Sequence, residues 1–177
     1  MRNHYDQADV KRIIDELAAK VAQSFDPREP MNIVGIRTRG ETIAQRLTAM
    51  LQGRGFGKIG RGILDITLYR DDLSEIGPAP MAGPTEVDIP LDGIPLLLVD
   101  DVLFTGRSVR SALNALVDFG RPSVIRLGVL VDRGGRELPI AADYVGITLS
   151  QVPSDVRVNV HLAEVDGVDE IVVEPKA

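Results

Sequence analysis

Residues 97–108 read Leu97-Leu98-Val99-Asp100-Asp101-Val102-Leu103-Phe104-Thr105-Gly106-Arg107-Ser108. An apolar strand, Pro95 to Val99, ends in two adjacent carboxylates, and the small-residue turn from Thr105 to Ser108 opens a helix. Val109, Ala112, Leu113, Leu116 and Val117 then recur at the spacing of one helical face, and Gly120 and Pro122 stop it. The motif therefore lies at the carboxyl end of a strand in a strand–loop–helix unit, where open α/β sheets take their ligands. Its chemistry suits a sugar phosphate. A helix N-terminus offers backbone N–H groups to a phosphate, Gly106 lets the backbone come close, and Asp100 and Asp101 are placed to accept hydrogen bonds from vicinal ribose hydroxyls.

Upstream, the same logic repeats. Asn32 to Ile36 is a short strand, Arg37-Thr38-Arg39-Gly40 is a turn, and Ile43, Ala44, Leu47, Met50 and Leu51 mark the next helical face. Two arginines and a glycine in such a turn are what a pyrophosphate needs. Before it, Val10, Ile13, Ile14, Leu17, Ala18 and Val21 outline an amphipathic helix that ends before Pro27. The Gly-rich stretch 53–60 is expected as a loop and Ile63 to Tyr69 as an alternating strand. Residues 70–93, with Pro78, Pro80 and Pro84, form a long segment of the kind that serves as a functional or mobile loop. Arg70 could add charge to a bound pyrophosphate, while Asp71 and Asp72 fit a solvated turn about as well. Downstream lie an apolar strand, Val124 to Val131, and three short ones, Asp143 to Ile147, Val156 to Leu162 and Glu170 to Val173. His161 is expected on the solvent side of its strand. Helices alternating with strands predict a central parallel sheet, with the last strands capping the site. Asp132, Arg133 and Arg136 follow a strand at the same sheet edge, where backbone groups could hold a flat base; an Asp–Arg-stabilised turn explains them equally well.

The chain has 177 residues and no Cys, so it fits one domain over 1–177 and has neither a disulfide framework nor a cysteine–zinc site. Only His4 and His161 are present, which disfavours a histidine metal centre. No apolar run reaches membrane-span length and no signal-peptide core opens the chain, so the expected location is cytoplasmic. A formal net charge of −6 argues against an obligate nucleic-acid binder without excluding a local basic patch.

The run from Leu97 to Ser108 resembles the phosphoribosyl pyrophosphate (PRPP) signature of type I phosphoribosyltransferases. Three further segments narrow the resemblance: Gly35 to Gly40, Asp65 to Ser74, and Val131-Asp132-Arg133-Gly134 with Arg136 to Ile140 and Ala142 to Gly146. Together they are similar to the PyrR family, from about Asp9 to Val173. The resemblance implies a type I fold whose hood of short strands lies within 131–177. It also implies uracil phosphoribosyltransferase activity, with uracil and PRPP giving UMP and pyrophosphate, magnesium carried mainly by PRPP, and control of pyrimidine genes through UMP-dependent binding of operon mRNA. Asp100 and Asp101 would hold the ribose, and Val102, Leu103, Phe104, Thr105, Gly106, Arg107 and Ser108 would wrap the 5′-phosphate. Arg39, Gly40 and Arg70 would face the pyrophosphate. Val131, Asp132 and Arg133 would cover the base. The pyrophosphate loop of the family often contains a non-proline cis peptide, and the sequence leaves the Thr38–Arg39 bond open in this respect. A homodimer or larger homo-oligomer is implied.

Departures from the family bear on RNA. Gly135 stands where the family commonly has His. Asp15, Ala19, Ala141 and Ile147 occupy positions that are basic or polar in RNA-binding members, and only Arg136 is retained. Phosphate contacts supply much of RNA affinity, so this reading favours an enzyme with a weakened regulatory role. A nucleotide-sensing RNA-binding regulator is the first alternative. A purine-base phosphoribosyltransferase is the second, opposed by the Asp65–Ser74 and Asp132–Ile140 segments.

Overall fold

The structure, a computed structural model, describes residues 3–67, 85–150 and 152–176. Arg70, Asp71, Asp72 and most of the proposed lid segment lie outside the described residues.

After the two-residue strand β1 (His4–Tyr5), the amphipathic helix predicted near the N-terminus is α1 (Gln7–Ala22). A capping box starts it: the Asp9 backbone N–H donates to Asp6 Oδ1 at 3.0 Å, and the Asp6 N–H donates to Asp9 Oδ2 at 3.3 Å. The predicted buried stripe, Val10 to Val21, is buried throughout. Next come β2 (Met31–Ile36), α2 (Arg39–Gln52), β3 (Ile59–Leu64), β4 (Leu96–Leu103), α3 (Arg107–Leu116), β5 (Ile125–Asp132) and β6 (Tyr144–Thr148). The five strands from β2 to β6 form one parallel sheet in the order β3-β2-β4-β5-β6. Strand side chains alternate between faces. Ile33, Leu97, Val99 and Val131 pack with α1 and α2, whereas Val34, Leu98 and Val129 pack with α3. Both faces are covered, so the inner strands are continuous apolar runs rather than alternating ones.

A second sheet is antiparallel and three-stranded, with β1 at one edge, β8 (Glu170–Pro175) in the middle and β7 (Val156–His161) at the other edge. With α4 (Ala163–Asp166) it forms the expected hood, and its Val158, Val160, Leu162, Ile171 and Val173 join the core on the α1 and α2 side. His161 is half-buried and shares Glu170 with His4, each ring nitrogen 2.9 Å from a carboxylate oxygen.

Several sequence expectations are corrected. The motif strand does not stop at Val99; it runs through both aspartates to Leu103, because β5 continues to pair with it, Asp100 opposite Val129 and Leu103 opposite Asp132. The strand expected at Ile63 to Tyr69 is instead Ile59–Leu64, placed by its register with β2, Met31 opposite Ile59 and Ile36 opposite Leu64, so part of the expected 53–60 loop is strand. Asp143 to Ile147 is not a hood strand: β6 joins the central sheet parallel to β5, through a connection without a helix. Val117 is 75% exposed at the C-cap of α3, and Ala115 with Ser111 completes the buried face. Among the described residues no helix is long and apolar enough to cross a membrane.

Candidate active site

The carboxyl ends of β2, β3 and β4 converge on one edge. A cavity of about 560 Å³ opens there, lined by Arg37, Thr38 and Arg39 after β2, Asp65, Ile66 and Thr67 after β3, Asp100, Asp101 and Val102 on β4, and Ser108 on α3. A smaller cavity of about 120 Å³ shares Asp100, Val102 and Ser108 and is otherwise walled by the turn Leu103-Phe104-Thr105-Gly106 and by Val109. Two adjoining compartments thus meet at the first aspartate.

The strand geometry gives the two acids different surroundings. Successive side chains of β4 point to opposite faces. Asp101, in phase with Val99, lies toward α2 and is felt by the Arg39 charge. Asp100, in phase with Leu98, borders both compartments. Asp100 is only 7% exposed, and burial first, then the Asp101 charge, push its carboxyl well above the usual carboxylate range. Local hydrogen bonds fix both groups: the Asp101 N–H donates to Asp100 Oδ1 at 2.9 Å and the Val102 N–H to Asp101 Oδ1 at 2.8 Å.

The turn before α3, which the sequence offers as a phosphate cradle, walls the smaller cavity. Gly106 is the N-cap, with φ 93°, a left-handed conformation that glycine adopts without strain. The turn is braced from behind. Thr105 O accepts the Glu137 and Leu138 N–H groups at 3.0 and 3.1 Å. Arg136 Nη1 donates to Phe104 O at 2.9 Å. Arg107 Nε donates to Glu137 Oε2 at 2.7 Å.

On the other side of the cavity, Gly40, the second residue of α2, lies against β4; a Cβ there would stand 2.5 Å from Val99 O, so the helix start can come this close only with glycine. The loop contains a cis peptide at Arg37–Thr38, one bond before the Thr38–Arg39 bond that the sequence left open. Arg37 Nε lies 3.6 Å from Glu41, and Arg39 forms a two-pronged pair with Asp166 of the hood, Nη2 to Oδ1 at 2.7 Å and Nε to Oδ2 at 3.1 Å.

The structure thus brings Arg39, Asp100, Asp101, Val102 and Ser108 together around the larger cavity, and Leu103, Phe104, Thr105 and Gly106 around the smaller one. Arg107 and Gly40 line neither cavity: Arg107 starts α3, its N–H donating to Thr105 Oγ1 at 3.3 Å, and Gly40 lies against Val99 of β4. Val131, Asp132 and Arg133 line neither cavity. Val131 is buried in the core, while Asp132 accepts from Arg136 Nη2 and from the Gly134 N–H. Arg133, 5% exposed, donates to Val156 O at 2.9 Å and to Pro153 O at 3.2 Å, and its guanidinium stacks 4.0 Å from the Phe104 ring centroid. Burial lowers its pKa. Arg136 commits Nε, Nη1 and Nη2 to Ile140 O, Phe104 O and Asp132. Sequence reasoning missed Thr67 as a lining residue and Asp166 altogether. Asp65 was read only as the start of the lid segment, though its place at a strand end was a usable signal. Asp166 gave none, since 127 residues separate it from Arg39.

A parallel sheet with acids and a glycine-capped helix at its carboxyl edge, over a basic turn, is the layout of a phosphoribosyltransferase. Residues 2–164 match the phosphoribosyl transferase domain. The fold is close to that of the hypoxanthine phosphoribosyl transferase of Trypanosoma cruzi, with a TM-score of 0.71 at 17% identity over 98% of this chain and 90% of that one. A purine phosphoribosyltransferase from Pyrococcus horikoshii gives 0.60 at 22% identity over 81% and 84%. These likenesses speak for the fold. Much nearer in sequence are two relatives called bifunctional protein PyrR. The one from Deinococcus deserti is 49% identical over 163 residues, 92% of this chain and 88% of that one. The one from Roseiflexus sp. is 47% identical over 164 residues with the same coverage. The chain belongs to the phosphoribosyltransferase family and, within it, to the PyrR family.

Proposed function

We propose that this protein transfers the phosphoribosyl group of PRPP to uracil, giving UMP and pyrophosphate, and that its control of pyrimidine genes through RNA is weakened or lost. The observation that carries the enzymatic part is the meeting of the two compartments at Asp100. In this reading the 5′-phosphate occupies the smaller one, against the backbone of residues 104–106 and the start of α3, where N–H groups and the helix dipole favour an anion. The ribose hydroxyls lie on Asp100 and Asp101. The pyrophosphate lies in the larger compartment, toward Arg37 and Arg39. The base rests beyond, against backbone groups of residues 131–133 rather than their side chains, which are engaged elsewhere.

The reaction breaks the bond from ribose C1 to the pyrophosphate oxygen as the bond to uracil N1 forms, and the N1 proton passes to the departing pyrophosphate or to solvent. Positive charge builds on the ribose ring in between, as in glycosyl transfer generally. The residues that the reading assigns to this step bind and orient. Asp101 places carboxylate oxygens beside the developing charge, and the helix start and arginines hold both phosphate ends so that C1 is presented to the base. Magnesium fits this donor set. Asp65, Asp100 and Asp101 offer hard oxygens, yet among the described residues no group of three or more His, Cys, Asp or Glu could hold a metal alone. An ion arriving on PRPP would use Asp100 and Asp101 as partial ligands and, when bound, neutralise charge on the leaving group.

For RNA, the four non-basic positions weigh against the regulatory half. Asp15 is paired with Lys11 at 2.8 Å, and the retained Arg136 is bonded inward by every side-chain nitrogen. A cytoplasmic homodimer or larger homo-oligomer belongs to the same proposal. The test is pyrophosphate release from magnesium PRPP with uracil, orotate, hypoxanthine and guanine in parallel. Release with uracil alone is expected. Release with a purine would replace the substrate assignment, and no release with any base would turn the site into a nucleotide sensor.

A further inference from the structure

Arg39 does not reach into the cavity unsupported. Nε and one N–H of Nη2 are held by the two oxygens of Asp166, side on. Asp166 is itself fixed, because its Oδ2 also accepts the Leu162 N–H at 2.9 Å. A guanidinium has five N–H donors in a rigid plane. With one edge on Asp166, the Nη1 pair and the second Nη2 proton lie on the opposite edge. Arg39 also lines the larger cavity, and its charge is held first by Asp166 and more weakly by Asp101. The guanidinium is therefore suspended between the hood and the ribose carboxylates.

We infer that Asp166 is a positioning residue for the pyrophosphate end of the substrate: it fixes one edge of the Arg39 fork so that the other edge faces the pyrophosphate. This rests on the reading of the larger cavity given above. The device belongs to the hood, since Asp166 closes α4, and it lies beyond residues 2–164 that match the general domain. A second tie marks the contrast. Arg46, two turns further along α2, pairs with Glu164 and with Asp169 at 2.7 Å. That clamp holds the same short segment of hood and does not line the cavity.

An arginine that is already oriented loses little freedom when pyrophosphate arrives, whereas a free one would forfeit affinity on the order of tenfold. Against this, Asp166 brings negative charge near an anion site, so a mere latch would have the opposite sign: removing it would tighten pyrophosphate. The experiment separates the two. Binding of magnesium pyrophosphate and of UMP is measured by calorimetry, with KM for PRPP, for the unaltered protein, Asp166→Ala, Asp166→Asn, Glu164→Gln, Arg39→Ala and the double variant Arg39→Ala/Asp166→Ala. Asp166→Ala should weaken pyrophosphate and raise KM for PRPP by roughly tenfold, with UMP affinity unchanged, because UMP carries no pyrophosphate. The double variant should be no worse than Arg39→Ala, and Glu164→Gln should behave like the unaltered protein. Should Asp166→Ala unfold the hood, Asp166→Asn carries the comparison, with a smaller loss in the same direction. Tighter or unchanged pyrophosphate binding in the Asp166 variants, or a further loss in the double variant, would overturn the inference. An unaltered protein that binds no pyrophosphate would overturn the cavity reading and this inference together. One that binds pyrophosphate but turns over no base would sink uracil transfer alone and leave the Asp166 comparison decisive.

Discussion

Asp100 is held at a thermodynamic cost. Its carboxyl is buried beside Asp101 and its pKa lies well above the usual range, burial being the larger cause. Folding therefore favours the protonated acid. The stability this group contributes is fully present below its unfolded pKa, near 3.8, and is lost as pH rises through the raised folded value. Above the unfolded value the raised pKa of Asp100 opposes folding, because the unfolded chain gives up this proton more readily than the folded one. Asp100→Asn should then raise Tm at pH 7.5, each kcal/mol of relief appearing as about 2–4 °C, while cutting turnover by about 100-fold or more; a lower Tm would contradict the electrostatic account. Gly135 has the opposite character. Its φ is 73°, and a Cβ added to it would stand only 2.5 Å from Phe104 Cε2, so glycine is required by the ring that Arg133 stacks upon. Gly135→Ala should cost about 1–3 kcal/mol in denaturant unfolding, and a neutral result would mean that Phe104 moves aside freely. The acids and the glycine of the Asp100 motif could be read in the sequence because one short run contains them all. The burial of Asp100 could not, since it depends on β4 pairing with β5 beyond Val99.

Elements were legible where one local pattern decided them. The apolar faces of α1 and α2 and the buried run of β4 were of this kind. Pairing decided the others. β3 is set by its register with β2, not by the alternation from Ile63 onward. Two-residue β1 has no signal of its own and exists because His4 and Tyr5 meet Val172 and Ile171 at the far end of the chain. The clamp of the hood on α2 is of the same long-range type, Arg46 reaching Glu164 across 118 residues and Asp169 across 123. Asp169 is 9% exposed, and Arg46 holds its carboxyl below the usual range. A lowered folded pKa contributes stability above the unfolded value and loses it as pH falls through the folded one. Arg46→Met should therefore cost about 1–3 kcal/mol at pH 7, and less at pH 3, below the unfolded value of 3.8, where this contribution is already shrinking. It should also speed amide exchange in β7 and β8 before the central sheet. Uniform acceleration across both sheets would show that the hood does not open on its own.

At the scale of the whole molecule, the question is what an acidic phosphoribosyltransferase of this family can do with RNA. The chain carries 26 acidic against 20 basic residues. The face in question is built from α1 and β6, which pack so closely that a Cβ on Gly146 would meet Ile13 Cγ2 at 2.6 Å, and Lys20 is drawn onto Val145 O at 2.6 Å. Ala19 and Ile147 are half-buried there and Ala141 is exposed nearby, none of them charged. These side chains cannot neutralise phosphates, and phosphate neutralisation supplies most non-specific affinity and its salt dependence. Fold and catalytic motif leave this untouched, because backbone pairing tolerates any residue on that outer face while binding depends on which one is there. The unaltered protein should therefore hold a pyrimidine-operon leader RNA weakly, with or without UMP, in a filter-binding titration. Ala19→Arg with Ala141→Arg should strengthen that binding and steepen its dependence on log salt by about 0.7 per new phosphate contact, leaving pyrophosphate release unchanged, since neither residue lines the cavities. Tight UMP-dependent binding by the unaltered chain would show that other groups, Lys20 among them, have taken over the contact, and the two functions would then have to be regarded as still joined in this protein.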